Sequence, residues 1–310
     1  MSTEDTSRLL QTFESEASKL IDASLAGSTK TLYENAVKLF DKFRFEYNLT
    51  LTWPPTLDHL IQFIGFLSLK QYAATTVRSY LSGISFHIKI EGHVDVTQNF
   101  IIKKMLSGFD KLHKYCDTRK PITEDILLKL LPALKYVCSS TYECNLFQAA
   151  FSLAFYAFLR VGEITITPTC NDSNTIKCSD IFINEKGVLF IKIKFSKTDQ
   201  MGKSTTLVIN PSKNVIANPL KYLTNYLNNR PVGEGPLFCH LNGKAVTRYQ
   251  FYTILRSALK FINFDVNNFN THSFRIGAAT SAFLSGKSED DIKRLGRWSS
   301  TCFQRYIRIN

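Results

Sequence analysis

The sequence predicts a mainly α-helical protein with one small antiparallel sheet, arranged as an all-helical N-terminal domain and a mostly helical second domain that carries the sheet. Three observations carry this. Through the first third, apolar residues recur at helical spacing and no stretch alternates. A polar, proline-containing stretch, "CDTRKPIT" at 116–123, then interrupts the pattern. Finally, "DIFINEKGVLFIKIKFSKTDQMGKSTTLVIN" at 180–210 alternates apolar and polar residues as half-buried strands do.

The elements follow in order. Residues 1–26 hold an amphipathic stretch near 6–25. Ser28 is placed to cap a helix in which Leu32, Ala36, Leu39, Phe40 and Phe43 share a face. "WPP" at 53–55 breaks that run, and Thr56 opens the next helix. Thr75 and Thr97 open two more, completing a helical domain over 27–115. Residues 116–122 read as a linker, and the second domain spans 123–310. It starts with Thr123 as a cap for "EDILLKLLPALKYV", followed by the almost wholly apolar "NLFQAAFSLAFYAFLRVGEI". The alternating region reads as a three-stranded meander with turns at Glu185-Lys186-Gly187 and "SKTDQMG". Helical signals resume at "ANPLKYLTNYLNN", broken by "RPVGEGP" and "LNGK". Thr271 opens a helix, Ser288 opens a short one ending at Gly296, and "STCFQRYIR" reads as a last helix with Cys302, Phe303, Tyr306 and Ile307 on one stripe.

Composition narrows the function classes. The chain has 310 residues, 44% of them hydrophobic and 13% aromatic, which is ample for buried cores. A formal charge of +12 points to a polyanionic partner, nucleic acid before an acidic membrane surface. No apolar run is long enough to span a bilayer, and the polar, acidic start argues against a secretory signal. The seven cysteines show no paired spacing, and Cys239-His240 is adjacent rather than spaced like metal ligands. They read as reduced core residues of an intracellular protein, so the sequons at Asn48 and Asn171 carry no weight.

Several residues admit both a structural and a chemical reading. Arg160 ends an apolar run, where a guanidinium needs an anion: either Glu163 one turn on, or a bound phosphate. His272 and Arg275 stand at i and i+3 on one helix face, a pattern that also arises by chance. Lys197 sits in the second turn of the meander with Lys203 nearby, as a solvated turn charge or a flexible proton donor. Trp298 and Tyr306 fit core packing as readily as a site.

Their order is more specific than any one of them. An Arg, a lysine-tipped hairpin, H-x-x-R, a Trp and a near-terminal Tyr, from Arg160 to Tyr306, resemble the tyrosine recombinase (phage integrase) family. The helical first domain is similar to that family's SAM-like core-binding domain, and the second to its α+β catalytic domain. "LRVGEIT", "SKTDQMGK", "HSFRIGAAT" and "GRWSS" with "RYIR" look most like the DIRS-like and Crypton mobile-element branch.

The resemblance implies site-specific cutting and rejoining of double-stranded DNA through a 3′-phosphotyrosyl intermediate, without metal, ATP or another cofactor. Tyr306 would be the nucleophile, Arg160 and Arg275 the phosphate clamp, and His272 a proton-transfer partner. Lys197 would be the general acid, with Lys203 a poorer candidate, and Trp298 would donate its ring N–H to a phosphate oxygen. Glu163 matches a supporting acidic position. Both domains would close on DNA as a clamp, with Lys30, Lys38, Arg78, Lys89, Lys103, Lys104, Arg119, Lys120 and Lys203 as phosphate contacts. Assembly as a dimer or tetramer on DNA, no membrane or small-molecule partner, and residence in the nucleus are implied as well.

Two departures stand out. Trp298 and Tyr306 are eight residues apart, where many bacterial members have nine, which predicts a tighter turn between them. Four residues follow Tyr306, leaving no room for the further helix that couples protomers in many relatives, so residues 6–25 or DNA itself are the expected routes to assembly. The alternatives are a host-recruited DNA-binding protein that keeps the fold without recombining, a type IB topoisomerase-like relaxing activity, and a helical scaffold.

Overall fold

The structure is a computed structural model that describes residues 3–113, 117–167, 175–194, 204–211 and 218–309. It divides into two compact units, 1–117 and 118–310. Among the described residues no helix is long and apolar enough to cross a membrane.

The first unit is built from α1 (Thr3–Ala23), α2 (Gly27–Glu46), α3 (Leu57–Leu69), α4 (Ala74–Ile90) and α5 (Phe100–Leu112). Phe40, Phe43, Leu60, Phe63, Ile64, Val77, Leu81, Ile84 and Ile102 meet in its core. The spacing that predicted α2 thus marks its buried face, with Leu32 alone left exposed. Gly83 lets α4 cross α2 closely, since a Cβ there would lie 2.9 Å from the Tyr33 Cα.

Helix starts were less legible than helix faces. Thr56 caps α3 as expected, its hydroxyl accepting from His59 N–H at 3.2 Å. Ser28, Thr75 and Thr97 do not play the part read for them. The α2 and α4 helices start after Ala26 and Ala73, neither of which offers a side-chain cap. Before α5, Asp95 caps a one-turn 3-10 helix, Val96–Gln98, and Asn99 caps α5 itself through Ile101 N–H. Asp and Asn are the stronger cap acceptors, and they prevailed over the nearby threonine.

The second unit contains α6 (Glu124–Val137), α7 (Thr141–Tyr156), α8 (Val161–Ile164), α9 (Pro219–Leu227), α10 (Arg248–Phe261), α11 (Ser273–Leu284) and α12 (Glu289–Gly296). Strands β1 (Ile181–Ile183), β2 (Leu189–Ile193) and β3 (Thr205–Ile209) form the antiparallel meander in the order β1-β2-β3. Ile191 pairs with Ile181 on one side and Leu207 on the other. Leu189, Ile191 and Ile193 face the core while Lys192 faces solvent, as the alternation required. Helix α7 is apolar on every side and forms the centre of the unit, with every residue from Leu146 to Phe155 buried.

Residues 118–122, read from the sequence as linker, belong to this unit. The N–H of Lys120 donates to Asn268 O at 2.7 Å and that of Ile122 to Ser273 O at 2.9 Å. Gly277 makes the second contact possible: a Cβ there would lie 1.7 Å from Ile122 O.

Candidate active site

The run that the sequence reads as one helix into "RVGEI" is broken. Helix α7 stops at Tyr156, and Phe158 takes a left-handed conformation with φ 50. That turn presents the Phe158 carbonyl to a guanidinium and places Arg160 as the residue preceding α8. Arg160 N–H donates to Glu163 Oε2 at 2.9 Å, and its Nη1 to Oε1 at 3.1 Å. The Glu163 carboxylate is buried, and Arg160 is half-buried at its side. The ion pair weighed against a phosphate contact is therefore present, and Arg160 also lines an open pocket.

Arg275, on α11, is 1% exposed. Its Nη1 donates to Phe158 O and its Nη2 to Gly296 O, while Nε is buried without a partner among the described residues. Among the described residues no carboxylate bonds it directly. Burial first, then Arg160 and Arg297, pushes its pKa down to about 9, partly offset by Glu163 and Tyr306. A buried guanidinium in that state favours the arrival of an anion.

His272 immediately precedes α11, with its N–H held by Asn270 Oδ1 at 2.8 Å. Burial holds its pKa below the ordinary value, reinforced by Arg119, Arg248, Arg275 and Arg160. The imidazole is therefore neutral at pH 7 and able to accept a proton. A pocket of about 200 Å³ joins these groups, lined by Arg160, Gly162, Arg248, Thr271, His272 and Arg275. At ~30 Å³ per water, it has room for one tetrahedral oxyanion with its nearest solvent.

Tyr306 ends a 3-10 helix, Thr301–Tyr306, where the sequence suggested an α-helix. The change of period removes Cys302 from the expected apolar stripe. Residues three apart eclipse in this geometry, so Phe303 and Tyr306 point inward while Cys302 and Arg305 are exposed. Tyr306 is half-buried, its ring centre 5.1 Å from that of Trp298 and 5.8 Å from the Arg275 guanidinium carbon. Trp298 is buried against Phe158, Phe303 and Tyr306, and its ring lies 4.4 Å from the Arg275 guanidinium carbon. Core packing and a place beside the pocket arginine thus coexist in one residue.

The structure brings Arg160, Glu163, His272, Arg275, Trp298 and Tyr306 into one neighbourhood. Lys197 and Lys203, and the turn read from the sequence at "SKTDQMG", lie outside the described residues. In the first unit, Lys30 pairs with Asp22 at 2.9 Å, Lys89 with Asp95 at 3.0 Å and Arg78 with Asp110. Lys38, Lys103 and Lys104 are exposed, Lys104 over the Phe100 ring. Arg119 stands apart from that group, since it acts on His272, and Lys120 beside it is exposed.

Two functional candidates escaped the sequence reading. Arg248, at the start of α10, lines the pocket and donates to Thr271 Oγ1 at 3.3 Å. Arg297 donates from Nη2 to Glu163 Oε2 at 2.7 Å, with its side chain 6% exposed. The signal for Arg297 was available: it stands nine residues before Tyr306, the spacing that Trp298 fails to meet. Among the described residues no cluster of His, Cys, Asp and Glu could hold a metal ion.

No protein-family model matches the chain, and no curated protein is significantly similar to it. Solved structures are similar at low identity. A lambda integrase dimer bound to a COC′ core site superposes with a TM-score of 0.62 at 17% identity, over 99% of this chain and 81% of that one. The Tn1549 transposon integrase in complex with transposon right end DNA gives 0.62 at 13%, over 94% and 93%. The XerH site-specific recombinase on a palindromic difH substrate gives 0.59 at 15%, over 80% and 67%. At such identities the likeness establishes the fold, which is that of the tyrosine recombinases.

Proposed function

We propose that this chain is a tyrosine-type site-specific DNA recombinase, a DNA strand transferase. The observation that carries the reading is the pocket of about 200 Å³ where Arg160, His272 and Arg275 converge, with the Tyr306 ring 5.8 Å from the Arg275 guanidinium carbon. Its surplus positive charge suits a phosphodiester better than a neutral substrate.

In this reading the Tyr306 hydroxyl attacks the scissile phosphorus. The new bond is Tyr306 Oη–P, the bond broken is P–O5′, and the products are a 3′-phosphotyrosyl link and a free 5′-hydroxyl. Neutral His272 takes the phenolic proton, and Lys197 is assigned the proton delivered to the leaving 5′-oxygen. Arg160 and Arg275 stabilise the negative charge that gathers on the non-bridging oxygens. The phosphotyrosyl link conserves the energy of the phosphodiester, so rejoining to a second strand requires no ATP.

The first unit is assigned as the core-binding domain, with its basic residues, and Arg119 and Lys120 at the start of the second unit, holding the DNA backbone. The similar structures include a lambda integrase dimer bound to a core site, a lambda integrase tetramer bound to a Holliday junction and a Tn1549 integrase in complex with DNA, which supports double-stranded DNA as partner and assembly upon it. The motifs around Arg160, His272 and Tyr306 favour the DIRS-like and Crypton branch, and with it a nuclear protein.

The test is a nicked suicide substrate that lets the cut strand diffuse away, run over a library of candidate sites on a denaturing gel. The expected result is a covalent adduct in the wild type that is absent in Tyr306→Phe. An adduct that persists in Tyr306→Phe assigns the nucleophile elsewhere. DNA binding with no adduct on any site favours the fold kept for binding alone.

A further inference from the structure

We infer that Arg297 is a positioning residue of the pocket, which holds Glu163 and through it aims Arg160. The inference rests on the recombinase reading and adds a residue to its machinery. Four observations converge on it.

The first is the backbone. Arg297 ends α12 in the left-handed region, φ 54 and ψ 48, a conformation that glycine adopts freely. A residue with a Cβ pays about 1 kcal/mol or more to stay there. Gly296 stands one position earlier, so the glycine of this turn is spent elsewhere: its missing Cβ leaves room for the Trp298 ring, which would otherwise lie 1.7 Å from that atom. A long cationic side chain is thus kept where the backbone prefers none.

The second is what that side chain reaches. Nη2 donates to Glu163 Oε2 at 2.7 Å, and the same oxygen accepts Arg160 N–H at 2.9 Å. Glu163 Oε1 accepts Arg160 Nη1 at 3.1 Å. One carboxylate is therefore held by Arg297 and in turn fixes both the backbone and the guanidinium of Arg160, which lines the pocket.

The third is the energetics. Arg297 Nε and Nη1 are buried with no hydrogen-bond partner among the described residues. A guanidinium that loses its hydration and recovers a single short contact is a poor stabiliser. It makes sense as a group whose value lies in orienting its partner.

The fourth is the neighbours. The Gly296 carbonyl accepts Arg275 Nη2, and the Trp298 ring covers Arg275. The residue between them is the pivot of that segment, so anchoring Arg297 on Glu163 ties the Arg275 side of the pocket to the Arg160 side. The Phe158 carbonyl marks the same seam, accepting from Arg275 and, at 3.5 Å, from Arg297.

The experiment compares wild type, Arg297→Gly, Arg297→Lys, Glu163→Gln and the double variant Glu163→Gln/Arg297→Gly on the nicked suicide substrate. Arg297→Gly removes the side chain while relieving the backbone, so thermal unfolding is expected to stay near wild type. The first-order cleavage rate at saturating DNA should fall about 10- to 100-fold, as expected when a reacting group loses its aim. DNA affinity, read by fluorescence anisotropy, should change less than about threefold, since phosphate contacts elsewhere dominate it. Arg297→Lys should recover part of the rate by keeping the charge. The double variant should be no slower than the slower single variant, because both break one link. An unchanged rate in Arg297→Gly, or losses that multiply in the double variant, would overturn the inference. A rate loss matched by an equal loss of affinity would also overturn it. The wild-type lane separates the two readings: no adduct there removes the recombinase assignment and this role with it, whereas a normal adduct undiminished in Arg297→Gly removes this role alone.

Discussion

The guanidinium carbon of Arg275 stands 4.4 Å from the centre of the Trp298 ring, and its Nη2 donates to the carbonyl of Gly296, two residues before that tryptophan. Trp298 therefore covers the pocket arginine on one side and fills the core against Phe303 on the other. Gly296→Ala should force the ring away, because the new Cβ would lie 1.7 Å from its Cζ3. We expect a loss of about 1–3 kcal/mol in urea unfolding, the usual cost of overpacking. Trp298→Phe should be milder than Trp298→Ala, which leaves a cavity worth about 3–5 kcal/mol. Equal stability of all four proteins would show that the ring is not seated against Gly296.

The same reasoning applies where the start of the second unit meets α11. Gly277 lies against the Ile122 backbone, where an added Cβ would come within 1.7 Å of the carbonyl oxygen. Backbone cannot rotate out of the way as a side chain can. Gly277→Ala should therefore detach the 118–122 segment, breaking the Ile122 N–H to Ser273 O bond. The expected cost is about 1–3 kcal/mol or more in chemical unfolding. Amide exchange at Lys120 and Ile122 should become faster as well. Unchanged protection at both amides would refute the account.

These contacts show what the sequence could and could not reveal. Faces were legible, because burial follows period: Phe40 and Phe43 in α2, or Leu189, Ile191 and Ile193 in β2, had to share a side. The order of Arg160, His272, Arg275, Trp298 and Tyr306 was legible as well, and the fold brings all five together. Chain breaks were not. The left-handed turns at Phe158 and Arg297 occur at residues with no intrinsic preference for them, and tertiary contacts to Arg275 and Glu163 hold them in place. Arg297 was missed although its nine-residue spacing to Tyr306 was visible, since an arginine ending a helix reads as a solvated charge complementing the dipole. The 3-10 form of Thr301–Tyr306 was hidden in the same way, because its apolar residues fit an α-helical stripe until Cys302 is found exposed.

The pH dependence of cleavage offers a test of the charge around His272. Burial and four arginines, Arg119 foremost among them, hold its pKa below the usual 6.5. A base with a lowered pKa keeps its working neutral form to more acidic pH. Cleavage should then persist below pH 6.5 and fall only as the pH drops through the lowered value. Between that value and 6.5 the unfolded chain binds the extra proton, so folding weakens as pH falls through this window and is unaffected above it. Removing the Arg119 charge relieves part of the pressure on the imidazole. In Arg119→Ala the midpoint of the acidic limb should move up toward 6.5, and in His272→Gln that limb should vanish along with most of the rate. Single-turnover cleavage from pH 5 to 8 measures both. An acidic limb unmoved in Arg119→Ala would show that the 118–122 segment does not set the charge state of His272.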